Sequence, residues 1–409
     1  MENVAALSLH IPEPSRRPGE APDFSRLRLS EAGVAPRPPI DAPVETLRAF
    51  PDLLIRVLDG QGRAVGPWAD SLSAAEKLRG LGDMVLTRAF DERMYRAQRQ
   101  GKTSFYMKCT GEEAVACAQA HVFSCEDMGF PTYRQQGLLI ARGYPLSEMM
   151  NQIYSNAGDP IKGRQLPIMY SSRDYGFFSI SGNLGTQLPQ AVGWAMASAY
   201  SGDTKIASAW IGDGATAEGD FHAALTFASV YRAPVVLNVV NNQWAISSFV
   251  GIAGGLETSI AAKGSGYGLP ALRVDGNDYL AVHAATSWAA ARARANLGAT
   301  LIEFVTYRAA QHSTSDDPLR YRPADEAALF PLGDPIQRLK AHLVADGALD
   351  EDAFKALEHK AHDAVRAAAR IAEGVGTLGQ SRVSSRTLFE DVFKEPDWRL
   401  KRQRQSLGI

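Results

Sequence analysis

Cysteine is scarce in this chain of 409 residues: Cys109, Cys117 and Cys125 are the whole set, and no pair stands at a CxxC or other zinc-ligand spacing. So sparse and odd a set excludes a disulfide framework and predicts reduced, buried thiols in a reducing compartment. An excess of either charge is missing too. Lys+Arg 43 against Asp+Glu 45 leaves a net charge of −2, which gives no footprint for a nucleic-acid or membrane-surface partner. No apolar run reaches the ~18 residues that a membrane span needs. The opening Met1-Glu2-Asn3-Val4 has neither the basic and apolar regions of a secretion signal nor an Arg-rich transit pattern, so the expected location is the cytoplasm. What is present, 45% hydrophobic and 22% charged residues, is the composition of a globular protein large enough for one big domain with appendages or for two domains.

Proline is unevenly spread. Ten of the 22 fall before residue 70, at positions 12, 14, 18, 22, 36, 38, 39, 43, 51 and 67. Proline fixes φ and donates no hydrogen bond, so residues 1–70 read as an irregular arm. Two readings stand side by side: a disordered tail, or an arm laid across a neighbouring subunit. The second is favoured by Phe24, Leu27, Leu29, Ile40, Phe50, Leu53, Leu54 and Ile55, which a disordered tail would normally lack. Helical periodicity starts after Ser73, an N-cap with Glu76 completing a capping box, and a second helix is expected over about 111–123. The middle of the chain alternates: strands at 205–211, 234–240, 271–274 and 300–307, helices at 218–231 and 279–295. That order predicts an α/β domain over 71–333 with a mostly parallel central sheet covered by helices on both faces. Residues 334–409 read as two helices and a polar tail.

On such a sheet ligands sit at the carboxyl ends of the strands. One strand runs into Gly212-Asp213-Gly214-Ala215, the next into Asn241-Asn242-Gln243-Trp244, and Asn242 follows Asp213 by 29 residues (213 to 242). A right-handed crossover can set these strand ends side by side. A carboxylate and an amide oxygen are hard ligands suited to Mg²⁺, which usually takes phosphate oxygens for the rest of its shell. The glycines let the backbone approach a phosphate, and the following helix points its N-terminus there. The Gly spacing misses the dinucleotide fingerprint. The reading from the residues is therefore a Mg²⁺–diphosphate site. GDG alone would be no more than a tight strand–helix turn.

The GDG and Asn-Asn pair resembles the diphosphate-binding motif of thiamine diphosphate enzymes. Further stretches (Thr132-Tyr133-Arg134, Ser179 to Gln187, Gly264 to Gly268, Arg273 to Asn277 and Tyr307 to Asp317) resemble the alpha subunit of the 2-oxoacid dehydrogenase decarboxylating component. His312-Ser-Thr-Ser-Asp-Asp317, continuing to Arg322, is most similar to its branched-chain, 2-oxoisovalerate members. The resemblance covers roughly residues 75–409.

The resemblance implies a thiamine diphosphate-binding fold and the following roles. Asp213, Asn242 and the Trp244 carbonyl match Mg²⁺ ligands. Tyr133, Arg134, Gly214 and Ala215 match diphosphate contacts. Leu184 matches the apolar residue beneath the thiazolium. Gly182 matches a cofactor-binding position where relatives often have Ser, and Val240 stands where they can have Arg. Ser181, Asn183, Thr186 and Gln187 match a K⁺ site. His312 matches a catalytic residue assisting acyl transfer to lipoamide, and Ser313 a position phosphorylated in mitochondrial relatives. The carboxylic acid required at the aminopyrimidine has no counterpart in this sequence. In this family a beta subunit supplies it, within an alpha2-beta2 heterotetramer that acts with a lipoyl acyltransferase core. Alternatives kept open are a pyruvate or acetoin substrate and, from a different class, a Rossmann-like nucleotide-binding protein. Phe105 and Tyr106 could line the substrate pocket or pack in the core.

Overall fold

The computed structural model describes residues 7–69, 72–254, 257–381, 383–390 and 393–409. The sheet strands are β1 (Met128–Phe130), β2 (Ala207–Gly212), β3 (Val235–Asn241), β6 (Ala271–Asp275) and β7 (Thr300–Val305), with a small hairpin β4 (Trp244–Ala245) and β5 (Ser248–Phe249) after β3. The helices are α1 (Ala74–Arg99), α2 (Glu113–Ala120), α3 (Gln136–Ala141), α4 (Leu146–Tyr154), α5 (Gln187–Tyr200), α6 (Gly219–Val230), α7 (Val250–Ala253), α8 (Ala261–Gly266), α9 (Tyr279–Arg294), α10 (Pro335–Ala345), α11 (Glu351–Val375) and α12 (Trp398–Ser406). The large sheet has the order β1-β2-β3-β7-β6, and every pairing in it is parallel.

Strand periodicity explains the two layers. In β3, Val235, Leu237 and Val239 point into one apolar cluster with Leu188, Phe221 and Ala261 of α5, α6 and α8. Val236 and Val240 point into the other, with residues of α1, α2, α9 and α11. Successive side chains alternate between faces, so one strand anchors both layers. Its polar interruption, Asn238, is fully satisfied: Gln119 of α2 donates to its Oδ1 at 2.8 Å, and its amide donates to the Ala209 carbonyl at 2.9 Å.

The strand and helix expectations agree with the structure to within a few residues, including the Ser73/Glu76 capping box. The short β1 was not foreseen; three residues carry too little periodicity to register. The polar tail ends in the exposed helix α12, capped by Asp397. Cys109 and Cys117 are buried as expected, whereas Cys125 is exposed.

The Pro-rich arm departs from the reading as a disordered tail, because from Phe24 onward it folds onto its own chain, whereas Leu7, Leu9 and Ile11 before it are exposed. Trp68 and Trp288 donate to the Pro36 and Pro38 carbonyls at 2.8 and 2.9 Å. Ile55 exchanges backbone hydrogen bonds with Arg273 and Asp275 at 2.8 and 2.9 Å, which covers the free edge of β6. Phe24 and Leu27 pack on the cluster of Trp244, Phe249 and Tyr321. The sequence reads as unstructured here because the arm's partners are distant strands rather than its own neighbours.

Asp278 joins arm, α9 and α10. Its Oδ1 caps α9 by accepting from Leu280 and Ala281 at 3.1 and 3.0 Å. Its Oδ2 accepts from Val57 and Leu58 at 2.8 and 2.6 Å and from Arg338 at 3.4 Å. An unpaired buried donor costs roughly 1–3 kcal/mol. Asp278→Ala should therefore lower the thermal midpoint by several degrees and make the arm the first segment cut by protease; an unchanged melting curve would refute this anchoring role.

Candidate functional site

The two strand ends meet. β2 and β3 pair in register, with Gly212 opposite Val240. The Val240 carbonyl accepts from the Asp213 amide at 3.3 Å and from the Asn242 amide at 3.2 Å. Asp213 and Asn242 thus leave one carbonyl in different directions and line one cavity of ≈ 350 Å³, together with Glu112, Tyr133, Arg134, Leu184, Gln187, Gly214, Ala215, Val240, Trp244 and His312. Gly214 is required by packing: a Cβ there would stand 2.2 Å from Ala245 Cβ, closing the gap between the GDG turn and the hairpin. The element opened by Gly214 is a single 3₁₀ turn to Ala217, and α6 begins only at Gly219.

Asp213 is buried, and its Oδ1 accepts the Gly214 amide at 2.7 Å. Its Oδ2 is buried without a partner, although a buried carboxylate oxygen normally has one. Burial pushes the Asp213 carboxyl up to about 6. A cation at Oδ2 would supply the missing partner and favour the ionised form. Asn242 Nδ2 donates to Glu112 Oε1 at 2.8 Å, and Asn242 Oδ1 accepts from the Trp244 amide at 3.3 Å. The Trp244 carbonyl accepts from Arg308 at 2.8 Å, leaving one of its two lone pairs. Among the described residues no three His, Cys, Asp or Glu side chains gather as a metal cluster. One carboxylate, an amide and a carbonyl make half a shell, as suits a cation that also holds a phosphate.

Facing these ligands is a block of buried positive charge. The Tyr133-Arg134 turn is closed by Gln135, whose side-chain carbonyl accepts from the Thr132 amide and hydroxyl at 2.8 and 2.6 Å. Arg134 donates to the Lys108 carbonyl and, at 2.7 Å, to the His312 carbonyl. Arg308 holds the Trp244 and Ile246 carbonyls at 2.8 and 2.9 Å and the Tyr321 hydroxyl at 2.6 Å. Its grip stabilises a hairpin in which Gln243 and Ile246 lie in the left-handed region, at φ 74° and 54°, costly for a β-branched residue.

Both guanidiniums approach His312 Nδ1, Arg134 at 3.2 Å and Arg308 at 3.3 Å. Guanidinium only donates, so Nδ1 is the acceptor and Nε2 carries the proton. Burial first, then Arg134 and Arg308, depress the imidazole to about 3, against a smaller opposing effect of Asp316. Asp316 accepts from the His312 amide and the Tyr321 hydroxyl, both at 2.7 Å, and so fixes the loop.

The structure places the other expected residues as follows. Gly182 is exposed and lies outside the cavity wall. Leu184 lines the cavity and is 47% exposed at its mouth. Ser181, Asn183 and Thr186 share one turn: Ser181 Oγ accepts the Asn183 amide at 3.1 Å, and the Asn183 carbonyl accepts the Thr186 hydroxyl at 3.0 Å. Gln187 opens α5 and donates to the Trp210 carbonyl at 2.6 Å. Ser313 is buried. Tyr106 is a core residue, donating to buried Asp91 at 2.6 Å, and Phe105 packs against the main core. The sequence reading missed Glu112 and Arg308. Both lie far in sequence from the glycine motif; no motif flanks Glu112, and Arg308, although within the Tyr307 to Asp317 stretch, reveals its role only through the carbonyls it reaches.

His312 gives a pH prediction. Its folded-state value lies below the ordinary 6.5, so the stability it contributes is present above pH 6.5 and is lost as pH falls toward about 3. In the cofactor-free protein, ¹⁵N NMR should show a neutral Nε2–H imidazole at pH 5.5; a protonated ring there would contradict the two-guanidinium arrangement.

Comparison with known proteins matches this geometry to a family. The pattern described as "Dehydrogenase E1 component" matches residues 82–380, and that described as "2-oxoisovalerate dehydrogenase E1 alpha subunit N terminal" matches residues 5–45. The chain is 60% identical over 411 residues to the 2-oxoisovalerate dehydrogenase subunit alpha of Pseudomonas aeruginosa, covering 100% of both. It is 39% identical to the mitochondrial counterpart of Mus musculus, over 87% of this chain and 79% of that one. It is also 39% identical to subunit alpha 1 of Arabidopsis thaliana, over 87% and 74%. The family's fold is the thiamine diphosphate-binding α/β fold seen here. Sheet, cavity and end-to-end similarity agree that the chain belongs to the dehydrogenase E1 component family.

Proposed function

We propose that this chain is the alpha subunit of a dehydrogenase that decarboxylates branched-chain 2-oxo acids, such as 2-oxoisovalerate, and passes the acyl group to the lipoyl disulfide of an acyltransferase partner. The observation that carries the reading is the convergence in one cavity of Asp213, Asn242, Arg134, Tyr133 and His312, in a chain similar over its whole length to a 2-oxoisovalerate dehydrogenase alpha subunit. Family membership removes the Rossmann-like nucleotide-binding alternative.

Thiamine diphosphate, when bound, supplies the carbon nucleophile and the electron sink for decarboxylation; the chain's part is to bind and orient. Asp213 Oδ2, Asn242 Oδ1 and the Trp244 carbonyl would hold Mg²⁺. Arg134, Tyr133 and the Gly214 and Ala215 backbone would receive the diphosphate, where a buried guanidinium is worth most. His312, kept neutral, offers its Nε2 proton as a donor to the acyl oxygen during transfer. The turn of Ser181, Asn183 and Thr186, with Gln187, is proposed to hold K⁺.

The cavity is half a site. Of the three carboxylates that line it, Glu112 and Asp213 lie at the metal end and Glu218 is exposed; in our reading the carboxylic acid for the aminopyrimidine comes from a beta subunit. The apolar rim of Leu184, Ile246 and Ile252, exposed by 47%, 53% and 58%, is a surface that a beta subunit would cover. As a subunit of an E1 component, the chain works with a beta subunit in a larger complex; the alpha2-beta2 form and the lipoyl acyltransferase contact are part of the proposal. No helix among the described residues is long and apolar enough to cross a membrane, and we place the complex in the cytoplasm.

Co-expressed with its beta chain, the protein should turn over 2-oxoisovalerate at least about tenfold more efficiently than pyruvate; the reverse order would move the assignment to another substrate. Asp213→Ala should abolish Mg²⁺-dependent cofactor binding in calorimetry, since it removes the one carboxylate ligand. Undiminished affinity would refute the metal assignment and leave the substrate reading intact.

A further inference from the structure

We propose that Glu112 is a positioning residue: its carboxylate fixes which edge of the Asn242 amide is presented as a ligand. The proposal deepens the reading of Asn242 as a metal ligand and rests on it. An asparagine carries oxygen on one edge and NH₂ on the other, nearly alike in shape, and a half-turn exchanges a ligand for a group that cannot bind a cation. Only a neighbour of one hydrogen-bonding sense can decide between them. Glu112 Oε1 stands 2.8 Å from Asn242 Nδ2. This oxygen accepts whether or not the carboxyl bears a proton on its other oxygen, so it selects the NH₂ edge. Oδ1 is left on the opposite edge, where the Trp244 amide also points at 3.3 Å.

The carboxylate is itself held. Glu112 is 3% exposed and is the N-cap residue immediately before α2. Gly111 before it has φ 97°, and a Cβ there would meet the Tyr307 carbonyl oxygen at 2.2 Å. The Gly111 carbonyl accepts the Thr306 hydroxyl at 2.8 Å. Glu113 after it accepts from the Gly111 amide at 2.8 Å and from Arg88 at 2.7 Å, and Arg88 reaches Asp334 at 2.8 Å. Arg134 Nε lies 3.8 Å from Glu112 Oε1. One carboxylate therefore sits between the arginine of the diphosphate loop and the amide of the metal loop.

The test exploits a symmetry. Aspartate has oxygen on both edges, so Asn242→Asp needs no orienting neighbour; beside Glu112, however, it places two carboxylates about 3 Å apart, where they repel. The measurement is Mn²⁺ affinity by electron paramagnetic resonance, with thiamine diphosphate present, on the co-expressed alpha–beta complex, each variant checked for an unchanged melting point. Glu112→Ala should weaken Mn²⁺ at least about tenfold. Glu112→Gln, which can still accept from Asn242, should stay within about threefold of the parent. Asn242→Asp alone should weaken binding, and the same substitution in the Glu112→Ala background should restore it. A Glu112→Ala protein with parental affinity, or a double variant no better than Glu112→Ala, overturns the positioning role. Asn242→Ala separates the two levels: unchanged affinity there would sink the metal reading itself, whereas its loss beside an unaffected Glu112→Ala would sink only this proposal.

Discussion

Arg308 is 1% exposed, and its guanidinium donates to two backbone carbonyls and a tyrosine hydroxyl. Arg134, 4% exposed, lies within reach of the same imidazole. Two buried cations facing one histidine is an arrangement that water would relieve and a protein interior penalises. Its consequences run through the site. The imidazole is kept neutral with a defined tautomer, the hairpin after β3 is held in a strained conformation, and the cavity awaits an anion. In the proposed arrangement a diphosphate would supply that anion, and the energy of burying the charges would be returned on binding.

The frame that permits this is the parallel sheet. Paired strands end at the same edge, and the carbonyl of Val240 takes hydrogen bonds from both loop tips. Neither loop could hold its ligand alone: the GDG turn needs the hairpin's Ala245 against Gly214, and the hairpin needs Trp244 packed on Tyr321 and on arm residues Phe24 and Leu27. The arm is in this sense part of the site's support, although it contributes no ligand in the proposed arrangement.

The exposed rim gives the same message from the other side. Apolar side chains at a cavity mouth are costly in water. Here they surround a cavity whose buried carboxylates, Glu112 and Asp213, both stand beside Asn242 and the GDG turn. In the proposed arrangement the need for a second subunit and the exposure of this rim have one cause.

The sequence by itself determined what local periodicity and motif chemistry encode. These are the βα alternation from Lys205 to Tyr307, the capping box at Ser73, and the glycine and asparagine tips that place Asp213 and Asn242 at strand ends. Each is legible because the residues that fix it are close in the chain. Tertiary structure alone decided the rest. Glu112, from the start of α2, meets Asn242 across 130 residues of chain. Arg308 and Arg134 converge on His312, and the proline-rich arm finds its partners on β6 and α9 rather than within itself. Those contacts depend on which distant elements pack together, and a buried charge acquires its effect only from neighbours that the order of residues does not name.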